Sequence, residues 1–147
     1  MGKFHIERTL PYSAEQLWNL VGDVELYPEF IPWITRLTTY NRESSSENSR
    51  FDADVYVGFK MLSEKFSTRV TRSADDQTID MNLIKGPFRK LKGRWTFAPA
   101  AGGTKVAIDL DMEIKNPFID ALFRANYDRA VVKLLAVFEQ RAAKLYS

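Results

Sequence analysis

The 147-residue chain has no cysteine and a single histidine, His5. Without thiols there is no disulfide framework, no thiolate nucleophile and no cysteine-based metal site. One imidazole cannot build a zinc cluster either. An excess of one charge is also missing. Lys and Arg number 21 against 19 Asp and Glu, for a formal charge of +2, which is too near neutral to argue for nucleic acid. No apolar run approaches a membrane span, and Met1 to Leu10, carrying His5, Glu7 and Arg8, does not resemble a signal peptide. These absences, with a reducing compartment allowed by the lack of thiols, lead to the expectation of a cytoplasmic protein. No repeat, linker or low-complexity segment divides the chain, so one domain over 1–147 is expected, large enough to bury a core without staples.

What the chain has in quantity is aromatic surface: ten Phe, six Tyr and three Trp. Aromatics bury large areas and also line apolar pockets. The spacing of apolar residues changes twice along the sequence. Lys3 to Leu10 reads as a strand ended by Pro11. Ser13 with Gln16 reads as a capping box opening a short helix, Ala14 to Val21, stopped by Gly22. A second helical piece, Val24 to Ile31, is broken by Pro28 and closed by Pro32, so two short helices meeting in a bend are expected rather than one.

From Thr35 the period becomes two. Thr35 to Arg42 reads as a weak strand, and 44–48 as a polar turn. Alternation then runs through Phe51–Phe59, Lys65–Val70, Ile79–Leu83, Lys90–Phe97 and Lys105–Ile114, with turns at Asp75-Asp76, Gly86-Pro87 and Gly102-Gly103. Such alternation marks an antiparallel meander with one apolar and one wet face. Pro117 to Tyr146 reads as one helix, about 45 Å long at about 1.5 Å per residue. Its apolar stripe is Ile119, Phe123, Tyr127, Ala130, Val131, Leu134, Phe138 and Leu145. The expected fold is α+β: a seven-stranded, curved antiparallel sheet gripping the long C-terminal helix, with two short helices after the first strand.

Candidates for catalysis are few. Opposite in parity to Phe4 and Ile6, His5 faces solvent and reads as a surface histidine; a Ser-His-Asp triad would need it to point inward. Glu64 shares parity with Phe66 and Val70 and so falls on the concave side. A carboxylate there is either partly desolvated and able to act as an acid or base, or solvated at the sheet rim. Its place near the strand start favours the second, and Arg8, also inward by parity, is a possible neutralising partner. No phosphate-binding glycine loop is present. The basic run Lys85–Arg94 puts Lys90, Lys92 and Arg94 on the wet face beside Phe88, which is expected to be exposed. The plain reading is a solvated strand; the sharper one is a patch for anionic lipid or ribosomal RNA. On the concave side Met81, Leu83, Leu91, Trp95, Phe97 and Leu110 converge with Met112, Phe123, Tyr127 and Leu134, and Gly93 leaves space among them. They form either a filled core or the wall of a cavity.

Several segments resemble one family. They are Leu20-Val21-Gly22-Asp23-Val24, Tyr27-Pro28-Glu29-Phe30-Ile31-Pro32-Trp33, Glu64–Val70, Gly86-Pro87-Phe88 leading to Leu91 and Trp95-Thr96-Phe97, and Phe138–Ala142 ending in Leu145-Tyr146. In this order they resemble the coenzyme Q-binding START-domain proteins, whose bacterial members are also labelled ribosome association toxin A, within the START and polyketide-cyclase (SRPBCC) superfamily. The resemblance implies a helix-grip fold with a lipid-sized tunnel between sheet and helix. It implies non-enzymatic binding of ubiquinone or a similar isoprenoid quinone, as a chaperone supporting respiration, with no metal, cofactor or catalytic residue. Trp33 and Phe66 then join the tunnel lining, and Glu64 or Tyr127 becomes a head-group contact. Two other functions stay open: a regulator binding the large ribosomal subunit, and a cyclase-like enzyme. The chain begins at the first strand without a targeting segment, which fits a bacterial member, cytoplasmic or peripheral at the inner membrane. Quinone delivery would require visits to a membrane surface; no DNA partner is expected.

Overall fold

The computed structural model describes residues 2–45, 48–59 and 62–146. Seven strands form one antiparallel sheet: β1 (Gly2–Leu10), β2 (Ile34–Ser45), β3 (Asn48–Phe59), β4 (Leu62–Ser73), β5 (Thr78–Lys85), β6 (Phe88–Ala100) and β7 (Gly103–Ile114). Helix α1 (Ala14–Gly22) and a 3-10 helix (Val24–Glu29) follow β1, and α2 (Pro117–Tyr146) comes last. The strand order is β1-β7-β6-β5-β4-β3-β2. The meander from β2 to β7 is therefore local, while β1 closes the far edge beside β7. The connection from β1 to β2 crosses the whole width of the sheet and lays α1 and the 3-10 helix across one end of its concave face. This is the α+β helix-grip architecture that the order of patterns predicts.

The alternation of the sequence is realised strand by strand. Phe51, Ala53 and Val55, then Val70, Ile79, Trp95, Phe97, Val106 and Ile108, are buried on the concave side. On the other face Arg94 sits across from Asp109 and Lys92 from Asp111, so cross-strand charge replaces apolar contact.

Three local expectations are corrected. β2 is a full twelve-residue strand, not a weak one over 35–42. It is an edge strand, so its polar side chains lie exposed while its backbone pairs with β3, and a register shift near Asn41 (φ 54°) keeps the ladder going. The second helical piece is a 3-10 helix that ends at Glu29, with Pro28 inside it. Gly22 is the last residue of α1 rather than its stop. The Arg72 guanidinium, stacked 4.4 Å over Trp18, occupies the space a Gly22 side chain would need. The capping box is present: Ser13 Oγ accepts from the Gln16 amide and the Gln16 side chain accepts from the Ser13 amide, both at 3.1 Å.

Helix α2 has the expected bounds but a different buried stripe. Val131, Leu135, Phe138 and Ala142 are buried, whereas Ala130 and Leu145 of the expected stripe are exposed. Leu134 is only half-buried. Adjacent leucines at 134 and 135 satisfy two stripes equally well, and only docking against β1 and α1 selects Leu135.

Candidate functional site

The interface between α2 and the sheet has two unlike ends. At one, α1 and the C-terminal half of α2 close over β6 and β7. Leu10, Leu17, Leu20, Val21, Trp95, Phe97, Val106, Leu135 and Phe138 meet there around a void of only about 10 Å³, too small for any organic ligand. The Phe138 ring makes edge-to-face contacts with Tyr27, Phe30 and Trp95 at centroid distances of 5.4, 5.4 and 5.3 Å. Glu29 pairs with Arg141 at 3.2 Å, and Arg141 lies 5.0 Å over the Phe30 ring. The Tyr27 hydroxyl donates to the Val21 carbonyl, and burial pushes its phenol well above the ordinary tyrosine range. Ile31 is fully buried. The segment Tyr27–Trp33 is thus a clamp on α2, and the residues it grips, Phe138 and Arg141, belong to another of the matching segments, Phe138–Ala142.

At the opposite end the packing opens. Along α2 from Ala121 to Ala130 every described side chain is exposed. The helix start itself is fixed. Asn116 Oδ1 accepts from the Phe118 and Ile119 amides at 3.0 and 3.3 Å. Asp120 is buried; its carboxylate accepts from the Ile114 amide at 2.9 Å and pairs with Arg124 at 2.8 Å. The Ile114 amide, then Arg124, hold the Asp120 carboxyl below the usual carboxylate range. On the concave side of β5 and β7, Met81, Leu83, Leu110 and Met112 are only half-buried despite their inward parity.

The sheet also parts at this end. β5 and β6 are paired from Thr78↔Thr96 to Asn82↔Lys92 and no further. Beyond that point β5 follows β4, with Ile84 as an extra residue in the ladder, and β6 follows β7, with Arg89 as another. Between them lies an open groove of about 550 Å³ bordered by Glu64, Lys65, Leu83, Ile84, Lys85, Gly86, Pro87, Phe88 and Lys115. Gly86 has φ +152°, and a Cβ there would lie 2.6 Å from the Phe66 Cβ. Only glycine lets the turn sit on Phe66.

The expected site residues therefore separate into groups. Leu91, Trp95 and Phe97 are buried in the core. Met81, Leu83, Leu110 and Met112 line the open end, and Leu134 is half-buried on the helix above. Gly93 is buried, and the space beside it is taken by Met81 Cε and Leu110 Cδ1, which would be 3.3 and 3.4 Å from a Cβ. Trp33 is half-buried with Lys133 over its ring at 5.7 Å. The side chains of Phe123 and Tyr127 lie outside the described residues.

Glu64 is exposed on the groove rim, the solvated position that its place near the strand start favours. Three expectations about polar and surface groups change. Arg8 pairs with Glu139 at 3.3 Å, on α2, and not with Glu64. Phe88 is half-buried, its ring edge-on to Phe66 at 5.3 Å. Lys90 and Arg94 are engaged by Asp111 at 2.8 Å and Asp80 at 2.6 Å, which leaves Lys92 as the one of the three with no ion pair among the described residues. His5 faces solvent as expected, between Glu7 at 2.9 Å and Asp109 at 2.6 Å. Hydrogen bonds to Glu7, then Asp109, raise its pKa above the ordinary histidine value.

Sequence reasoning missed Phe118 and Leu122, which are 86% and 63% exposed. They sit off the assigned stripe at a spacing of four, a second apolar face that the first one masked. Among the described residues no cluster of three or more acidic or histidine side chains is placed to hold a metal ion, and no helix is long and apolar enough to cross a membrane.

Residues 10–139 match the family described as polyketide cyclase / dehydrase and lipid transport. The chain is 36% identical over 145 residues to the ribosome association toxin RatA of Escherichia coli K12, covering 97% of this chain and 89% of that protein. It is 31% identical over 148 residues to RatA of Rickettsia prowazekii, covering 99% of both. A more distant relative is coenzyme Q-binding protein COQ10 homolog B, mitochondrial, of Xenopus laevis, 25% identical over 143 residues, covering 95% of this chain and 57% of that protein. Among solved structures, the 18 kDa protein CC1736 from Caulobacter crescentus superposes with a TM-score of 0.85 at 43% identity, covering 99% of both chains. The Zhui aromatase/cyclase from Streptomyces sp. R1128 superposes at 0.77 with 14% identity, covering 97% and 95%, a likeness of fold alone. Matched over 10–139 and covering 89–99% of two relatives above 30% identity, the chain belongs to the polyketide cyclase / dehydrase and lipid transport family.

Proposed function

We propose that this protein binds an isoprenoid quinone such as ubiquinone, or a lipid of similar shape, without chemical conversion, and carries it in support of respiration. The site is the apolar concave face at the open end, under the first half of α2. One observation carries this reading: Met81, Leu83, Leu110 and Met112 point to the concave side yet remain half exposed, while the other end of the same interface is filled to a void of about 10 Å³. An apolar ligand covering those side chains gains roughly 0.8 kcal/mol for each CH₂ it buries, so few polar contacts are needed. Thioether side chains suit a flexible chain because they repack at low cost. Glu64, on the groove rim, is the polar group nearest to a head-group role. The coenzyme Q-binding name of the Xenopus relative supports the same ligand class, and the work would be done in the cytoplasm and at the inner membrane face. The test is solvent extraction of the purified protein followed by mass spectrometry. A bound quinone or lipid is expected; its absence, together with no effect of added ubiquinone on Trp fluorescence or thermal midpoint, would overturn the reading.

A second reading, binding to the large ribosomal subunit, is favoured by the names of the relatives that match nearly the whole chain at 31–36% identity. It predicts co-sedimentation with large subunits at low salt, lost on changing Lys90, Lys92 and Arg94 to Glu. Unchanged co-sedimentation of that triple variant would remove this surface from the reading.

A further inference from the structure

The most exposed large apolar side chain on the described surface is Phe118, at 86%, and Leu122 one turn later is 63% exposed. At about 3.6 residues per turn both lie roughly opposite the docked stripe of Val131, Leu135, Phe138 and Ala142. They therefore face away from the molecule, not toward an unfilled core. The outward face continues through Ala125 to Arg129, both exposed. This presentation is fixed: Asn116 caps the first turn and Asp120 ties it to the Ile114 amide.

Cations lie beside the start of this face. Lys115 immediately precedes the helix, and its amide donates to the Pro87 carbonyl at 2.9 Å, which brings the β5–β6 turn alongside. The two extra residues flanking that turn, Ile84 and Arg89, are both exposed, Ile84 at 45%. Lys85, Arg89 and Lys115 are exposed and have no ion pair among the described residues. The acids nearby are mostly occupied: Asp120 and Glu113 by Arg124 at 2.8 and 3.8 Å. Among the described residues Glu64 is an exposed exception. On the sheet face, by contrast, Lys90 and Arg94 are held by carboxylates.

We propose that this end of the molecule, the first turns of α2 with the β5–β6 turn, docks on an anionic phospholipid bilayer. Phe118, Leu122 and Ile84 enter the boundary between head groups and acyl chains, and Lys85, Arg89 and Lys115 meet the lipid phosphates. Apolar side chains rimmed by cations, on a helix lying at the surface, are the recognised chemistry of interfacial binding. Nucleic acid would use the cations but gives Leu122 and Ile84 nothing to bury against, which favours the bilayer. The docking extends the ligand-binding reading, since it would set the groove and the half-exposed methionines against the membrane that supplies an apolar ligand.

The experiment is flotation of the full chain with vesicles of phosphatidylcholine alone or with 30 mol% phosphatidylglycerol. Binding to the anionic vesicles is expected to exceed binding to neutral ones and to fall at least tenfold in F118D/L122D and in K85E/R89E/K115E. An unchanged thermal midpoint serves as the folding control, because these side chains make few contacts. Equal vesicle binding by F118D/L122D and the unaltered chain would overturn the docking, as would equal binding to the two vesicle types. So would absence of vesicle binding with co-sedimentation of the chain on large ribosomal subunits, or with a dimer that F118D/L122D dissociates. Binding of a short-tail ubiquinone, followed by Trp fluorescence without vesicles, is read separately. No quinone binding by the unaltered chain, with its vesicle docking observed, refutes the ligand reading alone; quinone binding by the unaltered chain, with no vesicle docking, refutes the docking alone.

Discussion

The two halves of α2 contain similar proportions of apolar residues and do opposite things. From Val131 onward one stripe is buried against α1, β6 and β7, and the aromatic group of Tyr27, Phe30, Trp95 and Phe138 leaves no usable space. From Ala121 to Ala130 the described side chains stand in solvent, and on the concave side of the sheet Met81, Leu83, Leu110 and Met112 are only half-covered. One helix is thus anchored at its C-terminal half and at its first turn, with an unpacked stretch between. The difference teaches where to look for ligand: away from the two family segments Tyr27–Trp33 and Phe138–Ala142, which build the anchor, and toward Glu64–Phe66 and Gly86–Phe88 at the open end.

The sharpest way to break this contrast is truncation at both ends. Phe138→Ala removes contacts with three rings and is expected to cost roughly 3–5 kcal/mol, seen as a large drop in thermal midpoint. Leu122→Ala, exposed as it is, should stay within about 0.5 kcal/mol. Equal effects would show that the first half of the helix is packed after all. Filling the open end comes next. Gly93→Val would press on Met81 and Leu110, whose flexible ends can shift, so a stability loss of about 1–3 kcal/mol is expected, with quinone-induced Trp fluorescence change reduced at least tenfold. Gly86→Ala should cost about 1–3 kcal/mol through its positive φ and the contact with Phe66, and urea unfolding would measure it.

The smallest effect belongs to neither end. His5, between Glu7 and Asp109, should titrate above about 6.5 by proton NMR and move down in Asp109→Asn. Its folded pKa is raised, so the stabilisation it gives is fully present below its unfolded pKa and is lost as pH rises through the folded value. A change there that also altered ligand binding would contradict the separation of the two faces.

Much of this fold is legible in the sequence because strands with one wet face carry a strict period of two. β5, β6 and β7 are read almost residue by residue in this way. The bounds of α2 are legible too, from Pro117 to Tyr146. Its inner face is not, because Phe118 and Leu122 lie off the stripe of Ile119, Phe123, Tyr127 and Ala130, and Leu134-Leu135 fits either stripe; periodicity cannot choose, and docking does. Register is likewise invisible. Lys90 and Arg94 look like free cations until β6 is set against β7 and β5, when Asp111 and Asp80 claim them. The extra residues Ile84 and Arg89, which turn a continuous sheet into an open groove, break no rule of composition. Glu64 has inward parity but sits where the sheet has no cover, and parity says nothing about cover.

The most direct test of ligand binding at the open end is hydrogen exchange along α2, measured with and without a short-tail ubiquinone. Binding there predicts added protection of amides in 118–130 and no change in 131–142, which the core already shields. Protection confined to 131–142, or none in either half, would contradict it.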